Sequence, residues 1–199
     1  MLDQSEYMRV SRRDKFPAAI GGRSNAMDQP TAGEAPKRIC KSVVSPRDSP
    51  SSAKVMVSET VKRLEPLVGE WILEAKPPGG PPWPGEARAT IEWHDSGAHL
   101  VERSTVEMPE APDGISIMGC DAANGTYFQL YSDERGVCRV YEMSIGDGRW
   151  ELWREGEPFP QRFSATISDD GETIVGRWEK APDGLTWETD FELTYRKAR

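Results

Sequence analysis

Thr186-Trp187-Glu188-Thr189-Asp190-Phe191-Glu192-Leu193-Thr194-Tyr195 sets Trp187, Thr189, Phe191, Leu193 and Tyr195 on one phase, against Glu188, Asp190, Glu192 and Thr194 on the other. A period of two puts alternate side chains on opposite faces, so this stretch reads as a half-buried β-strand. The same period recurs upstream. Trp71, Leu73 and Ala75 alternate with Glu70 and Glu74, and Ala87, Ala89, Ile91 and Trp93 alternate with Glu86, Arg88, Thr90 and Glu92. Further strands are expected over 98–107, 115–121, 126–132, 137–144, 148–155, 161–168 and 172–179, which with 186–197 makes about ten.

Turn chemistry separates these runs. Asn124-Gly125 suits a type I′ hairpin, Gly146-Asp147-Gly148 and Asp169-Asp170-Gly171 suit short hairpins, and Ala-Pro-Asp-Gly occurs at 111–114 and again at 181–184. No helix-length segment lies between strands, which excludes parallel crossovers and leaves an antiparallel meander. Ten such strands expose two long edges unless the sheet closes, so the expected fold class is all-β, an up-and-down barrel. In front of it, Val61, Leu64 and Leu67 are spaced by three after Ser58 and Glu59, and Pro66 follows. That pattern predicts a short helix ending near Leu64, with an apolar face that plugs one end of the barrel.

Residues 1–55 differ in kind. They carry 10 Lys and Arg against 6 Asp and Glu, while 56–199 carry 15 against 27, giving net charges of +4 and −12 within the total of −8. All seven Trp lie at or after Trp71, and the first 55 residues offer only Tyr7 and Phe16 as aromatics. With no apolar period to bury, this extension is expected to be disordered, and Met27 and Met56 are alternative starts. The domain is therefore expected to span 56–199. Its acidity argues against a nucleic-acid partner. No apolar run reaches the roughly 18 residues of a membrane span and no signal peptide is visible, so a cytoplasmic monomer or homodimer is expected. Cys40, Cys120 and Cys138 match no ligand spacing and read as reduced thiols.

Leu67-Val68-Gly69-Glu70-Trp71, after a short helix and at the head of a ten-strand meander, resembles the Gly-x-Trp start of lipocalin-like (calycin) barrels. Arg135-Gly136-Val137, Tyr141-Glu142-Met143-Ser144, Trp150-Glu151-Leu152-Trp153-Arg154, Gln161-Arg162-Phe163 and Trp187-Glu188-Thr189-Asp190-Phe191 are similar to a lipocalin-like bacterial family distantly similar to the nitrobindins. The resemblance covers about 60–197. It implies a ten-stranded barrel whose interior takes a small apolar ligand, and it implies no activity. Nitrobindin-type barrels hold haem through a histidine late in the chain, whereas His94 and His99 here are both early, so haem is not carried over and no cofactor is expected.

Motif by motif, the chain reads as turns. Trp93-His94-Asp95-Ser96-Gly97 holds the residue types of a Ser-His-Asp triad but no nucleophile elbow, two His do not make a zinc site, and Asp169-Asp170-Gly171-Glu172 lacks the twelve-residue span of a calcium loop. No catalytic or metal residue is assigned. Pro77–Gly85 reads as a stiff loop that carries Trp83 over a barrel mouth. The informative signal is polar residues on an apolar phase. Arg154 shares a face with Trp150 and Leu152, where it anchors an anionic head group or reaches the rim. Arg139 and Tyr141 share a phase with Val137 and Met143, Arg103 shares one with Val101, and Gly176 lies between Ile174 and Trp178.

The expected ligand-binding set is thus Arg154, Trp150, Tyr141, Arg139, Arg103, Phe163 and Trp178, around a small hydrophobic or aromatic, acidic ligand in a void of at least about 300 Å³. Two alternatives stay open. One is an isomerase- or cyclase-type enzyme pairing Arg154 with Tyr141 or Glu142, and the other is an interaction module with a filled barrel. Deleting 1–55 should leave the thermal transition within about 2 °C of the full chain, because nothing there has an apolar face to bury. A calorimetric scan of both chains checks it, and a large drop would refute the reading of that extension.

Overall fold

The computed structural model describes residues 59–199; the extension 1–55, the Ser58 cap, Met27, Met56 and Cys40 lie outside them. Ten strands form one closed antiparallel barrel in which each strand pairs with its sequence neighbour and the last pairs with the first. They are β1 (Gly69–Lys76), β2 (Ala87–Trp93), β3 (His99–Val106), β4 (Gly114–Asp121), β5 (Thr126–Asp133), β6 (Cys138–Gly146), β7 (Arg149–Arg154), β8 (Gln161–Ile167), β9 (Thr173–Lys180) and β10 (Glu188–Lys197). Closure runs from Trp71↔Lys197 to Lys76↔Glu192 and leaves no free edge.

A short helix, α1 (Glu59–Lys62), leads into a 3-10 turn at Glu65–Leu67 that has Pro66 in its first turn, where a missing N–H costs nothing. Val61, Leu64 and Leu67 are buried, as their spacing requires. The segment caps the barrel end formed by the starts of the odd strands, and Tyr127 at the head of β5 donates from its hydroxyl to the Thr60 carbonyl at 2.6 Å. Trp71 is 1% exposed and its indole N–H donates to the Leu67 carbonyl at 2.9 Å, so one side chain joins cap and sheet.

Hairpin chemistry differs from expectation at one turn. Asp147 and Gly148 both have positive φ (51° and 71°), the type I′ requirement, and they form the β6–β7 turn. At Asn124-Gly125 only the glycine is left-handed, and a four-residue loop is held instead by Asp121, which accepts from the Asn124 amide at 2.6 Å and from the Ala123 N–H. A second difference concerns the stretch with the most regular alternation. The β10 register slips between Thr189 and Phe191, so Asp190 is an extra residue and the phase inverts. Phe191, Leu193 and Tyr195 face the lumen, while Trp187 lies outside beneath the Arg162 guanidinium, 4.2 Å from its ring centre.

The lumen is layered. Toward the capped end, Leu64, Leu67, Trp71, Ile91, Leu100, Met118, Met143, Ile145, Trp150, Ile174 and Tyr195 form the apolar core. Rings then run upward in contact: Trp71 to Tyr195 at 6.1 Å, Tyr195 to Trp150 at 5.9 Å, Trp150 to Phe163 and Phe163 to Trp178 both at 5.1 Å, and Trp178 to Phe191 at 6.4 Å. Gly176 resolves to close packing, since a methyl group there would come within 2.6 Å of the Phe163 ring. Replacing Trp71 by Ala removes one of the two indoles of this core and the bond to the cap. The loss should be about 3 kcal/mol or more, read from denaturant melts, and an unchanged midpoint would refute this role for the cap.

Candidate functional site

Away from the helix, the loops 77–86, 107–113, 134–137, 155–160 and 181–187 gather at the second end, and here polar side chains replace apolar ones on the lumen face. Two rows follow from the register. One pairs Lys180 with Gln161 and Gln161 with Arg154, and the other runs Arg139, Tyr131, Ser116, Glu102 over four neighbouring strands. Gln129 sits across from Tyr141 between them.

Gln161, buried at the start of β8, is the hub. Its Oε1 accepts from Arg139 Nη1 at 2.5 Å and from the Tyr141 hydroxyl at 3.0 Å. Arg154, half-buried at the end of β7, donates to the carbonyls of Phe159 (3.1 Å) and Glu157 (2.5 Å) in the loop that follows its own strand. Arg139 also lies over the Phe159 ring, 5.6 Å from its centre. Burial pushes the Tyr141 phenol up, against the pull of the neighbouring Arg139 and Arg154 charges. Beside them the β10 bulge turns Asp190 inward, where it accepts from Lys180 Nζ at 2.9 Å. Aromatic walls complete the end: Tyr141 meets Trp178 edge-on at 5.4 Å, and Trp83 from the Pro-rich loop rests on Phe191 at 5.6 Å.

The sequence-derived set therefore divides. Arg139, Tyr141, Arg154, Phe163 and Trp178 come together at the loop end. Trp150 sits deeper, in the apolar core. Arg103 is corrected: it is on the outer face, exposed, with Nη1 2.9 Å from the Glu92 carboxylate, because its phase with Val101 is the outer phase of β3. Glu142 is likewise on the outer face, opposite Trp153, so the Arg154–Glu142 pair does not form. The reading from sequence missed Gln161, Glu102, Lys180 and Asp190. The first three sit on inward phases with Phe163, Leu100 and Trp178, a signal as readable as that of Arg154, whereas Asp190 is hidden by the bulge.

Glu102 is 6% exposed in the middle of the lumen, and the Ser116 hydroxyl is its hydrogen-bond partner. Among the described residues no cation lies within 4 Å of it. Burial drives its pKa up, with the Ser116 bond opposing, so the neutral acid is favoured.

Two clefts lie away from the ring-lined end. A cleft of about 330 Å³ lies by the cap, lined by Lys62, Glu65, Trp93 and Gly97, and one of about 350 Å³ is lined by Arg149, Ser164, Thr166, Val175 and Arg177 of β7–β9 together with Glu192. Both are outside the ring-lined end. The His94 and His99 rings stack at 4.6 Å across a tight turn, and Asp170 accepts from the Ser168 hydroxyl within its own turn. Among the described residues no cluster of three His, Cys, Asp or Glu is placed to hold a metal, and no helix is long and apolar enough to cross a membrane.

The raised Glu102 pKa has a definite sign. The folded state holds this proton more tightly than the unfolded chain, so the contribution is complete below the ordinary value of 4.5 and is lost as pH rises above it. Glu102→Gln should therefore melt close to the parent at about pH 4 and above it at about pH 8, a widening gap that thermal scans read directly. A gap that stays constant with pH would show that Glu102 ionises freely in the fold.

No family model matches the chain, and no curated protein matches it. Among solved structures, the crystal structure of Rv2717c from M. tuberculosis aligns with a TM-score of 0.49 at 13% identity, covering 72% of this chain and 99% of that one; a likeness at that level carries nothing about ligand or activity.

Proposed function

We propose that the protein is a non-catalytic lipocalin-like binding barrel that takes a small aromatic acid at its loop end, with Arg139 and Arg154 as the anion contacts. One observation carries this reading. Both guanidinium groups are half-buried on the lumen side of adjacent strands, they donate only to neutral oxygens, and among the described residues neither has a carboxylate within 4 Å. Positive charges on neighbouring strands that have no carboxylate in direct contact favour an incoming anion. Tyr141, Phe163, Trp178 and Phe191 supply flat apolar surface beside them, as aromatic ligand sites require.

A second reading, an interaction module with a filled barrel, is favoured by the clefts lying outside the lumen and by an apolar row on the outer face. Val101, Ile117, Leu130 and Val140 stand side by side across β3 to β6, and Val140 is 60% exposed.

Two fluorescent probes separate the readings: 8-anilinonaphthalene-1-sulfonate, an aromatic anion, and N-phenyl-1-naphthylamine, its uncharged analogue. The anion should bind the parent, and the Arg139→Met/Arg154→Met variant should weaken it by roughly 1.5 to 3 kcal/mol, the worth of a charged hydrogen bond, while leaving the neutral probe unchanged. Equal loss for both probes, or no binding of the anion at all, sinks the acid-binding reading and leaves the interaction module.

A further inference from the structure

The middle of the lumen contains polar atoms that the loop-end cluster does not use. Trp150 is 1% exposed and Gln129 is 5% exposed, yet among the described residues the Trp150 indole N–H and the Gln129 amide oxygen have no hydrogen-bond partner. Buried polar groups in folded proteins are almost always paired, and leaving one unpaired opposes folding. One is a donor and the other an acceptor. They belong to a connected set: Gln129 Nε2 donates to Ser116 Oγ at 3.3 Å, Ser116 bonds Glu102, and the buried Tyr195, whose ring meets that of Trp150 at 5.9 Å, lies near Glu102. Register puts Gln129 beside Tyr141, so this set adjoins the loop-end cluster along the lumen wall.

We propose that Gln129, Trp150 and Glu102 form an inner subsite for an uncharged hydroxyl group, so that the ligand is a hydroxylated aromatic acid whose carboxylate meets Arg139 and Arg154 and whose hydroxyl reaches the middle of the barrel. The carboxylate half of this statement rests on the binding reading above; the hydroxyl half rests on the two orphaned atoms. A hydroxyl is the group whose chemistry suits both, since it can give a proton to Gln129 Oε1 and can accept from the Trp150 N–H. An ammonium group offers no acceptor for the indole, and a carboxylate offers no donor to the amide oxygen. The rings between the two clusters, Tyr141, Trp178, Phe163 and Trp150, supply the apolar middle that an aromatic spacer requires.

Titration calorimetry with two pairs of probes tests it: 3-phenylpropionate against its 4-hydroxy derivative, and toluene against 4-methylphenol. In the parent, the 4-hydroxy acid should bind at least about tenfold more tightly than 3-phenylpropionate, the effect expected when a buried polar pair is satisfied. Gln129→Met should shrink that advantage to less than about twofold. Trp150→Phe, which keeps a ring in the core, should fold with a similar melting temperature and lose part of the same advantage, so a failure of the Gln129 variant to fold does not block the test. Equal affinity of the two acids overturns the inner subsite and leaves the arginine site standing. If neither acid binds but 4-methylphenol binds more tightly than toluene in a manner that needs Gln129, the inner subsite stands and the acid reading falls. If 4-methylphenol shows no such preference either, or Gln129→Met and Trp150→Phe both leave it intact, the orphaned atoms hold water alone and the proposal is overturned.

Discussion

The ladder between Gly69–Lys76 and Glu188–Lys197 is the constraint on which the rest of the molecule depends. Nine hairpins alone would give an open, twisted sheet with two long edges and one apolar face in water. Closing the first strand on the last removes both edges and turns that face into a lumen. The seam is also where the cap attaches. Trp71 bonds the Leu67 carbonyl, Lys197 Nζ donates to the Val68 carbonyl at 3.0 Å and lies over the Trp71 ring, and Tyr195 meets the same ring edge-on. Sheet closure and end capping are therefore a single packing event.

Closure then makes the two ends of the lumen unequal. Where the helix sits, water is excluded and apolar side chains suffice. Where only loops lie, strand ends are close enough to water for arginine and lysine stems to line the wall while their head groups find carbonyl, amide and carboxylate oxygens. Gln161 shows how the two regimes join. A neutral amide oxygen accepting from both Arg139 and Tyr141 holds a cation and a phenol in place without neutralising the cation. Asp133 works differently at the β5–β6 turn, where burial opposes ionisation but bonds from Arg135, Tyr131 and the Val137 N–H hold its carboxyl below its ordinary range. That pairing is complete, so it belongs to the turn, whereas among the described residues Arg139 and Arg154 have no carboxylate within 4 Å.

Glu102 and the atoms around it are the least economical part of the fold. A buried acid with one hydroxyl partner, like an amide oxygen and an indole N–H that have no partner among the described residues, opposes folding. A sheet stabilised only for its own sake would be better served by leucine or methionine at these positions. The same strands carry the fully buried Leu100 and Met118 one step nearer the cap.

Much of this was legible in the chain itself. Period-two alternation gave ten strands with boundaries within about two residues, because a half-buried strand needs alternate apolar side chains and nothing else in the sequence competes with that signal. Lack of any crossover helix gave the meander, and the Val61, Leu64, Leu67 spacing gave the cap. The inward phase of Arg154 followed from Trp150 and Leu152, whereas Arg139 and Tyr141, on one phase with Met143, lie on a strand whose two faces are too alike to be oriented from sequence. What the linear pattern could not decide was set by register across the closed sheet. In β3 both faces carry apolar and charged residues, so only pairing with β2 and β4 decides that Glu102 points in and Arg103 out. In β10 one extra residue at Asp190 inverts the phase and sends Trp187 outside, and a bulge leaves no mark on alternation until the partner strand is known. Whether Gly176 opens space or closes it depended on the ring of Phe163, which approaches from the neighbouring strand. Alternation along one strand is a local property of the chain, but which groups face one another across a barrel is fixed only when all ten strands have closed.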